Sequence, residues 1–271
     1  MKKDIVIGLG EIGMPIYKKL SKFLPVEGLD KNKNLMNEKK NKSLNLHQVD
    51  FIHICIPYNK KFEKIIFEYD KRFNPTAVVI HSTTKPNTTN HIQKKLSTPV
   101  IYSPIRGVHS RMSTDLKRYS KFFAIDNSHP NSKKISNQYQ KKMAKLGIKT
   151  RKISNPLTLE LSKIIVDTSY YGWLINYAQI SKIIADKFNV DYDEMWTFSD
   201  EIHKFLKNRP KMFPGFIGGH CVIPNLELID DLSLNQISKI NLYFKKMKKK
   251  KFIFFIFFST IFYFLIILPI F

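Results

Sequence analysis

The chain has 271 residues, room for one large domain or two small ones, and a formal charge of +23 from 45 Lys and Arg against 22 Asp and Glu. Its two cysteines exclude a disulfide framework. The lysines are scattered, with no basic arm before residue 245 and no recognition motif, which argues against a nucleic-acid partner. Together with abundant Asn, Ile and Phe they read as the composition of an A/T-rich genome, an anionic nucleotide-bearing substrate being a secondary beneficiary.

The opening Met1-Lys2-Lys3-Asp4 leads straight into an apolar run and lacks the pattern of a secretory signal, so cytoplasmic chemistry with reduced thiols is expected. Ile5-Val6-Ile7 reads as a strand, Gly8-Leu9-Gly10-Glu11-Ile12-Gly13 as a tight turn, and residues 15–23 as a helix. Strand, GxGxxG and helix together form a dinucleotide-binding signal: the first glycine turns the chain, the second lets backbone approach a pyrophosphate, and the third packs helix on strand. A second strand, 25–29, ends at Asp30, where a carboxylate suits the ribose hydroxyls of NAD and repels the 2′-phosphate of NADP. Lys31 and Lys33 blur that preference.

Further strands are expected over 51–56 (ending at Pro57), 77–81, 99–102, 122–125 and 148–153, with helices over 59–73 and 132–146. The hydroxyl-rich segment Ser82-Thr83-Thr84-Lys85-Pro86 follows the 77–81 strand. Alternating strands and helices predict an α/β fold, a Rossmann-like doubly wound, mainly parallel sheet, with ligands beyond the carboxyl ends of its strands. From residue 157 to 188 one long helical pattern runs with a single glycine, Gly172, and an apolar set wider than one stripe: Leu161, Ile164, Ile165, Trp173, Leu174, Tyr177, Ile180 and Ile184. Such a helix is buried on more than one side, within the chain or against a second copy. A further helix over 191–206 leads to Phe213-Pro214-Gly215-Phe216-Ile217-Gly218-Gly219-His220-Cys221-Val222-Ile223-Pro224. A thiol behind two glycines and beside an imidazole is either a nucleophile with room for a substrate carbon or a free cysteine in a turn.

Over residues 1–226 these segments resemble the UDP-glucose/GDP-mannose dehydrogenase family. Residues 214–221 look like its catalytic cysteine loop, 82–86 like the loop after a sheet strand, and Leu159-Glu160-Leu161-Ser162-Lys163 like the start of the central helix with its catalytic lysine. The resemblance implies oxidation of a sugar-nucleotide alcohol to a carboxylate with two NAD and no metal. Cys221 would be the nucleophile and Lys163 the oxyanion stabiliser. Thr83, Asp167 and Asn225 would complete the catalytic set. Gly8, Gly10, Glu11, Ile12, Gly13, Asp30, Pro57, Ser82 and Thr83 would hold the cofactor. Arg106, His109, Gly218, Gly219 and His220 would meet the substrate. It also implies a homodimer through the helix at 157–188.

Several positions depart from the family pattern. Ile105 and Arg106 stand where the family has a carboxylate, and His109 near a second one. Asp167 stands for the usual Asn and Asn225 for the usual Asp. Either the two side chains have exchanged places in one site, or Asp167 sets negative charge beside a developing oxyanion. The family carries another nucleotide-binding-like domain after the cysteine loop, whereas residues 226–244 suffice for one helix.

The expected organisation is an NAD-binding domain over 1–154, a central helical domain over 155–244 carrying the cysteine loop, and a lysine-rich and apolar segment over 245–271. Residues 252–271 are long enough to span a bilayer, giving either a tail anchor or the product of a frame slip in a lysine-coding A-run. Two other readings stay open: a single-step NAD-dependent alcohol dehydrogenase of the β-hydroxyacid type, with Lys163 as base, and a nucleotide-binding module without turnover.

Overall fold

The computed structural model describes residues 2–43, 48–108 and 111–267, with 40, 43 and 250–267 described by backbone alone. Two compact units divide the chain, Met1–Ile164 and Ile165–Phe271, so the first unit extends past residue 154.

The first unit is built on one sheet of β1 (Lys2–Ile7), β2 (Val26–Leu29), β3 (Gln48–Ile54), β4 (Ala77–Ile80), β5 (Val100–Tyr102), β6 (Lys121–Ile125) and β7 (Thr150–Lys152), in the order β2-β1-β3-β4-β5-β6-β7. Its central strands are buried on both faces, as parallel strands covered by helices must be. Val6, Phe51, Val79 and Ile101 face one core. Ile5, Ile7, Ile52, Ile54, Val78 and Ile80 face the other. The helices are α1 (Gly13–Leu20), α2 (Glu38–Ser43), α3 (Phe62–Phe73), α4 (Thr88–Lys95), α5 (Met112–Arg118), α6 (Ser132–Lys145) and α7 (Pro156–Leu161), with a 3₁₀ turn at Lys33–Leu35.

The expected parallel order has one exception: β5 and β6 are antiparallel. Residues 103–120 bring the chain back along the end of the sheet at which β5 finished, so no crossover is needed.

The helix expected without a break over 157–188 changes its winding. After α7 comes a π-helical segment, Ser162–Ser169, and then α8 (Tyr170–Phe188). A serine marks each end of this segment. Ser162 Oγ donates to the Thr158 carbonyl at 2.7 Å, and Ser169 Oγ to the Ile165 carbonyl at 2.7 Å, competing with the backbone ladder. Between them Ile164, Ile165, Val166 and Thr168 crowd the turn with branched Cβ atoms. The start is well defined: Asn155 accepts from Thr158 N at 2.9 Å and Pro156 takes the first turn.

The second unit contains α8, α9 (Tyr192–Leu206), α10 (Ile223–Leu226) and α11 (Leu232–Ile267). The buried side of α8 is small and polar: Gly172, Asn176, Ala178, Gln179, Ser181 and Ala185. At Gly172 an added Cβ would lie 3.1 Å from Ile237 of α11, so the two helices approach closely there. The apolar set expected to be buried divides. Ile164 is buried, while Leu161, Ile165, Trp173, Tyr177, Ile180 and Ile184 are exposed on the single chain. The one helix expected over 226–244 is instead the short α10 and the longer α11, which continues through the lysine run. Among the described residues no helix is long and apolar enough to cross a membrane. The tail anchor or frame slip expected over 252–271 falls on residues whose side chains are not described, and 268–271 lie outside the described residues altogether.

Candidate functional site

At the end of β1 the chain turns at Gly8, whose φ is +87°, and Gly8 N donates to the Leu29 carbonyl at 2.8 Å. Only glycine fits at 13, because a Cβ there would lie 1.7 Å from the Gly8 oxygen. A Cβ on Gly10 would meet nothing within 4 Å, so this side of the turn is open for a ligand to approach the backbone. Glu11 is exposed and Ile12 half-buried between them. Asp30, at the end of β2, lies against the turn: Leu9 N donates to its Oδ2 at 2.6 Å and Asn32 N to its Oδ1 at 2.8 Å. A glycine cradle with open space above it and a carboxylate on the adjacent strand end fits a dinucleotide.

Pro57 follows β3 and is exposed. Ser82 follows β4 and is buried, its hydroxyl donating to the Ile56 carbonyl at 2.6 Å. Ser82 thus ties its loop to the β3 end, and Thr83 beside it is half-buried. The loop is fixed from the other side by Glu160 of α7, which is fully buried. Its Oε2 accepts from Asn87 N at 2.6 Å. Its Oε1 accepts from Thr89 N at 2.9 Å, Thr89 Oγ1 at 2.6 Å and Thr84 Oγ1 at 3.3 Å. Burial pushes this carboxyl's pKa up, against the pull of four donors.

Lys163, half-buried, and Asp167, exposed, both lie in the π-helical segment, four residues apart and so near one face of it. Such segments recur at functional positions. Ile105 is buried in the sheet core. Arg106 donates from Nη2 to the Ser120 carbonyl at 2.8 Å, its Cζ 4.6 Å from the centre of the Phe122 ring. Neither residue at the expected carboxylate position is a carboxylate. His109 lies outside the described residues.

Next to Arg106 in this unit is a group that the sequence does not single out. Lys121 of β6 is buried and donates to the Ser103 carbonyl at 2.7 Å and the Pro104 carbonyl at 3.4 Å. Burial, with Arg106 and Lys163 adding repulsion, brings its pKa down to about 7. The same Ser103 carbonyl accepts from His81 Nδ1 at 3.0 Å. That contact puts the proton on Nδ1, and His81 Nε2 faces His53 Nδ1 at 2.9 Å. Burial holds both histidines below their usual pKa, His81 well below it. Beyond them Asp4 meets His53 at 3.3 Å and Lys142 at 2.5 Å, and Lys142 also reaches Asp50 at 2.8 Å. Burial opposes the Asp4 charge, but His53 and Lys142 outweigh it and lower its pKa.

In the second unit Gly218, Gly219, His220 and Cys221 are exposed, and Gly219 has a φ of +74°. Asn225, half-buried on α10, donates from Nδ2 to the Cys221 carbonyl at 2.5 Å. An aspartate in its place would have no proton to give there. Upstream, the loop is fastened by a buried set of amides. Gln179 Nε2 donates to the Gly215 carbonyl at 2.6 Å and to Asn241 Oδ1 at 3.0 Å. Asn241 pairs with both backbone groups of Ile217, at 2.8 and 2.9 Å. Asn176 Nδ2 donates to Gln179 Oε1 at 2.9 Å. An Asn241→Leu chain is expected to lose about 2–4 kcal/mol from the second unit, since the Ile217 groups and Gln179 lose their buried partner. Chemical denaturation followed by Trp fluorescence, with Trp173 and Trp196 both in this unit, checks the value.

A scan against protein-family models gives no match, and a search of curated proteins gives none. Solved structures do match. The UDP-D-ManNAc dehydrogenase of Pyrococcus horikoshii aligns over 90% of this chain and 69% of its own, with 19% identity and a TM-score of 0.72. A UDP-glucose dehydrogenase from Pyrobaculum islandicum aligns over 91% of this chain and 68% of its own, at 15% identity and a TM-score of 0.66. The 3-hydroxyisobutyrate dehydrogenase of Mycobacterium tuberculosis aligns over 90% of this chain and 94% of its own, at 12% identity and a TM-score of 0.62. The chain shares the Rossmann-like dehydrogenase fold of these proteins.

Proposed function

We propose that this chain is an NAD-dependent oxidoreductase that oxidises a sugar-nucleotide alcohol to a carboxylate. The observation that carries the reading is the cradle of Gly8, Gly10 and Gly13 with Asp30 against it, in a fold shared with nucleotide-sugar dehydrogenases over nine-tenths of the chain. The resemblance of residues 214–221 to the family's cysteine loop supports the finer assignment. Bound NAD supplies the hydride acceptor for each of two oxidations.

The chain's own residues do the rest. Oxidation of the alcohol releases a proton and leaves an aldehyde. Cys221 adds its sulfur to the aldehyde carbon and forms a thiohemiacetal. The second oxidation turns this into a thioester, and water splits the C–S bond, giving the acid and restoring the thiol. The Lys163 ammonium stabilises the oxyanion at each addition, and the Thr83 hydroxyl orients water or substrate. Arg106, His109, Gly218, Gly219 and His220 meet the substrate.

NADH yield per substrate tests the reading. With the full chain, NAD and a panel of UDP- and GDP-sugars, two NADH per sugar are expected. One would mean alcohol oxidation alone, and none with NAD still bound would mean a binding module. The single-step reading draws on the likeness of this fold to that of the 3-hydroxyisobutyrate dehydrogenase, at a TM-score of 0.62.

The reading includes a second copy. Tyr170, Tyr171, Trp173, Tyr177, Ile180 and Ile184 on α8 are exposed, a larger apolar face than a lone soluble helix leaves bare. Two such helices crossing give an isologous dimer. Light scattering is expected to report a dimer for the wild type and a monomer for Trp173→Asp. A monomeric wild type would sink the assignment.

A further inference from the structure

We propose that Glu160 is a positioning residue for the nicotinamide half of the cofactor, acting through the loop that follows β4. The inference rests on the NAD reading above and adds a residue that touches neither reactant.

The sheet order sets the frame. β2, β1, β3 and β4 lie side by side, and a dinucleotide lies across their carboxyl ends. Asp30 at the end of β2 marks the adenosine side, and the glycine turn at the end of β1 marks the pyrophosphate. The other half of the cofactor then falls on the ends of β3 and β4, at Pro57, Ser82 and Thr83.

What holds the second of these loops in shape is one carboxylate. Thr84, Asn87 and Thr89 all donate to Glu160, which comes from α7, more than 70 residues later in the chain. A cap for α4 alone would need only the bonds to Thr89. The bonds to Thr84 and Asn87 reach back into the loop, and Thr84 directly follows Thr83. Asn87 has a φ of +73°, in the left-handed region that Asn enters more readily than other non-glycine residues. Its N–H is the one held at 2.6 Å by Glu160 Oε2. Ser82 ties the near end of the loop to Ile56, so Thr83 sits between two fixed points. In Glu160→Gln one oxygen becomes an NH2 group. Its two protons would face either Asn87 N–H or the Thr89 donors, so the clasp opens while size is kept.

The test separates the two halves of the cofactor. Full-length wild type and Glu160→Gln are titrated calorimetrically with NAD and with ADP-ribose, which keeps the adenosine and pyrophosphate and lacks the nicotinamide. The expected result is an NAD dissociation constant about tenfold or more higher in the variant, with ADP-ribose within about twofold. Equal changes for the two ligands would make Glu160 a general stabiliser of the fold and overturn the inference. No change for either would overturn it too, with the NAD reading intact. A wild type that takes up neither ligand would remove the NAD reading and this inference with it. Thr89→Val removes the 2.6 Å side-chain donor and leaves the carboxylate, so it serves where Glu160→Gln does not fold. The same split, at about threefold, is expected of it.

Discussion

The Cys221→Ala chain is expected to stop at the aldehyde. With NAD and the sugar nucleotide that the wild type consumes, it should yield one NADH per substrate instead of two. Acid formation should fall by at least about a thousandfold, the scale on which loss of a covalent nucleophile is felt. The reason lies in the second oxidation. An aldehyde carbon carries no removable hydride until a nucleophile adds to it, and the sulfur supplies the adduct. The accumulating aldehyde is measured by trapping it as an oxime and weighing the product. Cys221 is exposed, so its loss leaves no cavity and melting should be unchanged within about 0.5 kcal/mol. Acid formed at the wild-type rate would leave Cys221 idle and move the assignment to the single-step reading.

A second large effect is expected from pH. Lys121 has a pKa of about 7 in the fold and an ordinary lysine value near 10.5 once unfolded. Between these values the unfolded chain binds more protons than the native one, so stability rises with pH. The cost of the buried amine is complete below pH 7 and disappears towards pH 10.5. Between pH 7 and pH 9 the first unit should therefore gain about 2 kcal/mol. Below pH 6.5 His53 and His81, both depressed by burial, act in the same sense, because the unfolded chain takes protons that the native one refuses. Asp4, lowered in the fold, adds a further loss below its unfolded value of 3.8. Stability of this unit should thus climb from pH 7 to pH 9. Just above pH 4.5 the raised pKa of Glu160 opposes the histidines, the native chain there holding a proton that the unfolded one releases. Above pH 9 the raised pKa of Cys55, about 12, begins to oppose the climb. Urea unfolding at pH 6, 7, 8 and 9 measures the profile. Lys121→Met should flatten it above pH 7, and an unchanged slope in that variant would refute the assignment to Lys121.

Much of the first unit was legible because its signals are local. Gly8, Gly10 and Gly13 follow Ile5-Val6-Ile7 without a gap, and each strand announces itself by a short apolar run. The direction of β6 was not legible, since a strand's side-chain pattern reads the same either way and only the return path of residues 103–120 reverses it. The π-helical winding at Ser162–Ser169 differs from an α-helix by one residue in its ladder, a difference that leaves the apolar spacing of the sequence almost unchanged. The role of Glu160 was hidden by distance, its partners lying 71 to 76 residues away. Asn176, Gln179 and Asn241 read as polar positions on amphipathic helices. That they face inward became visible only with α8 and α11 packed together. The exposed apolar residues of α8 were legible as a set but their cover was not, because periodicity reports a face that wants cover and not where the cover comes from.

The lysines that reach into the first unit's core have a consequence for descent. Lys3 pairs with Glu27 at 2.6 Å, Lys142 with Asp4 and Asp50, and Lys121 sheds its charge between two carbonyls. These three lysines are accommodated in different ways, which do not reverse alike. Lys121 can be exchanged for an apolar residue in one step, since its partners are backbone. Losing Lys3 or Glu27 alone strands a buried charge at a cost of about 3–5 kcal/mol, so that pair works as a ratchet. Descendants of this chain should vary freely at 121 and keep 3 and 27 together.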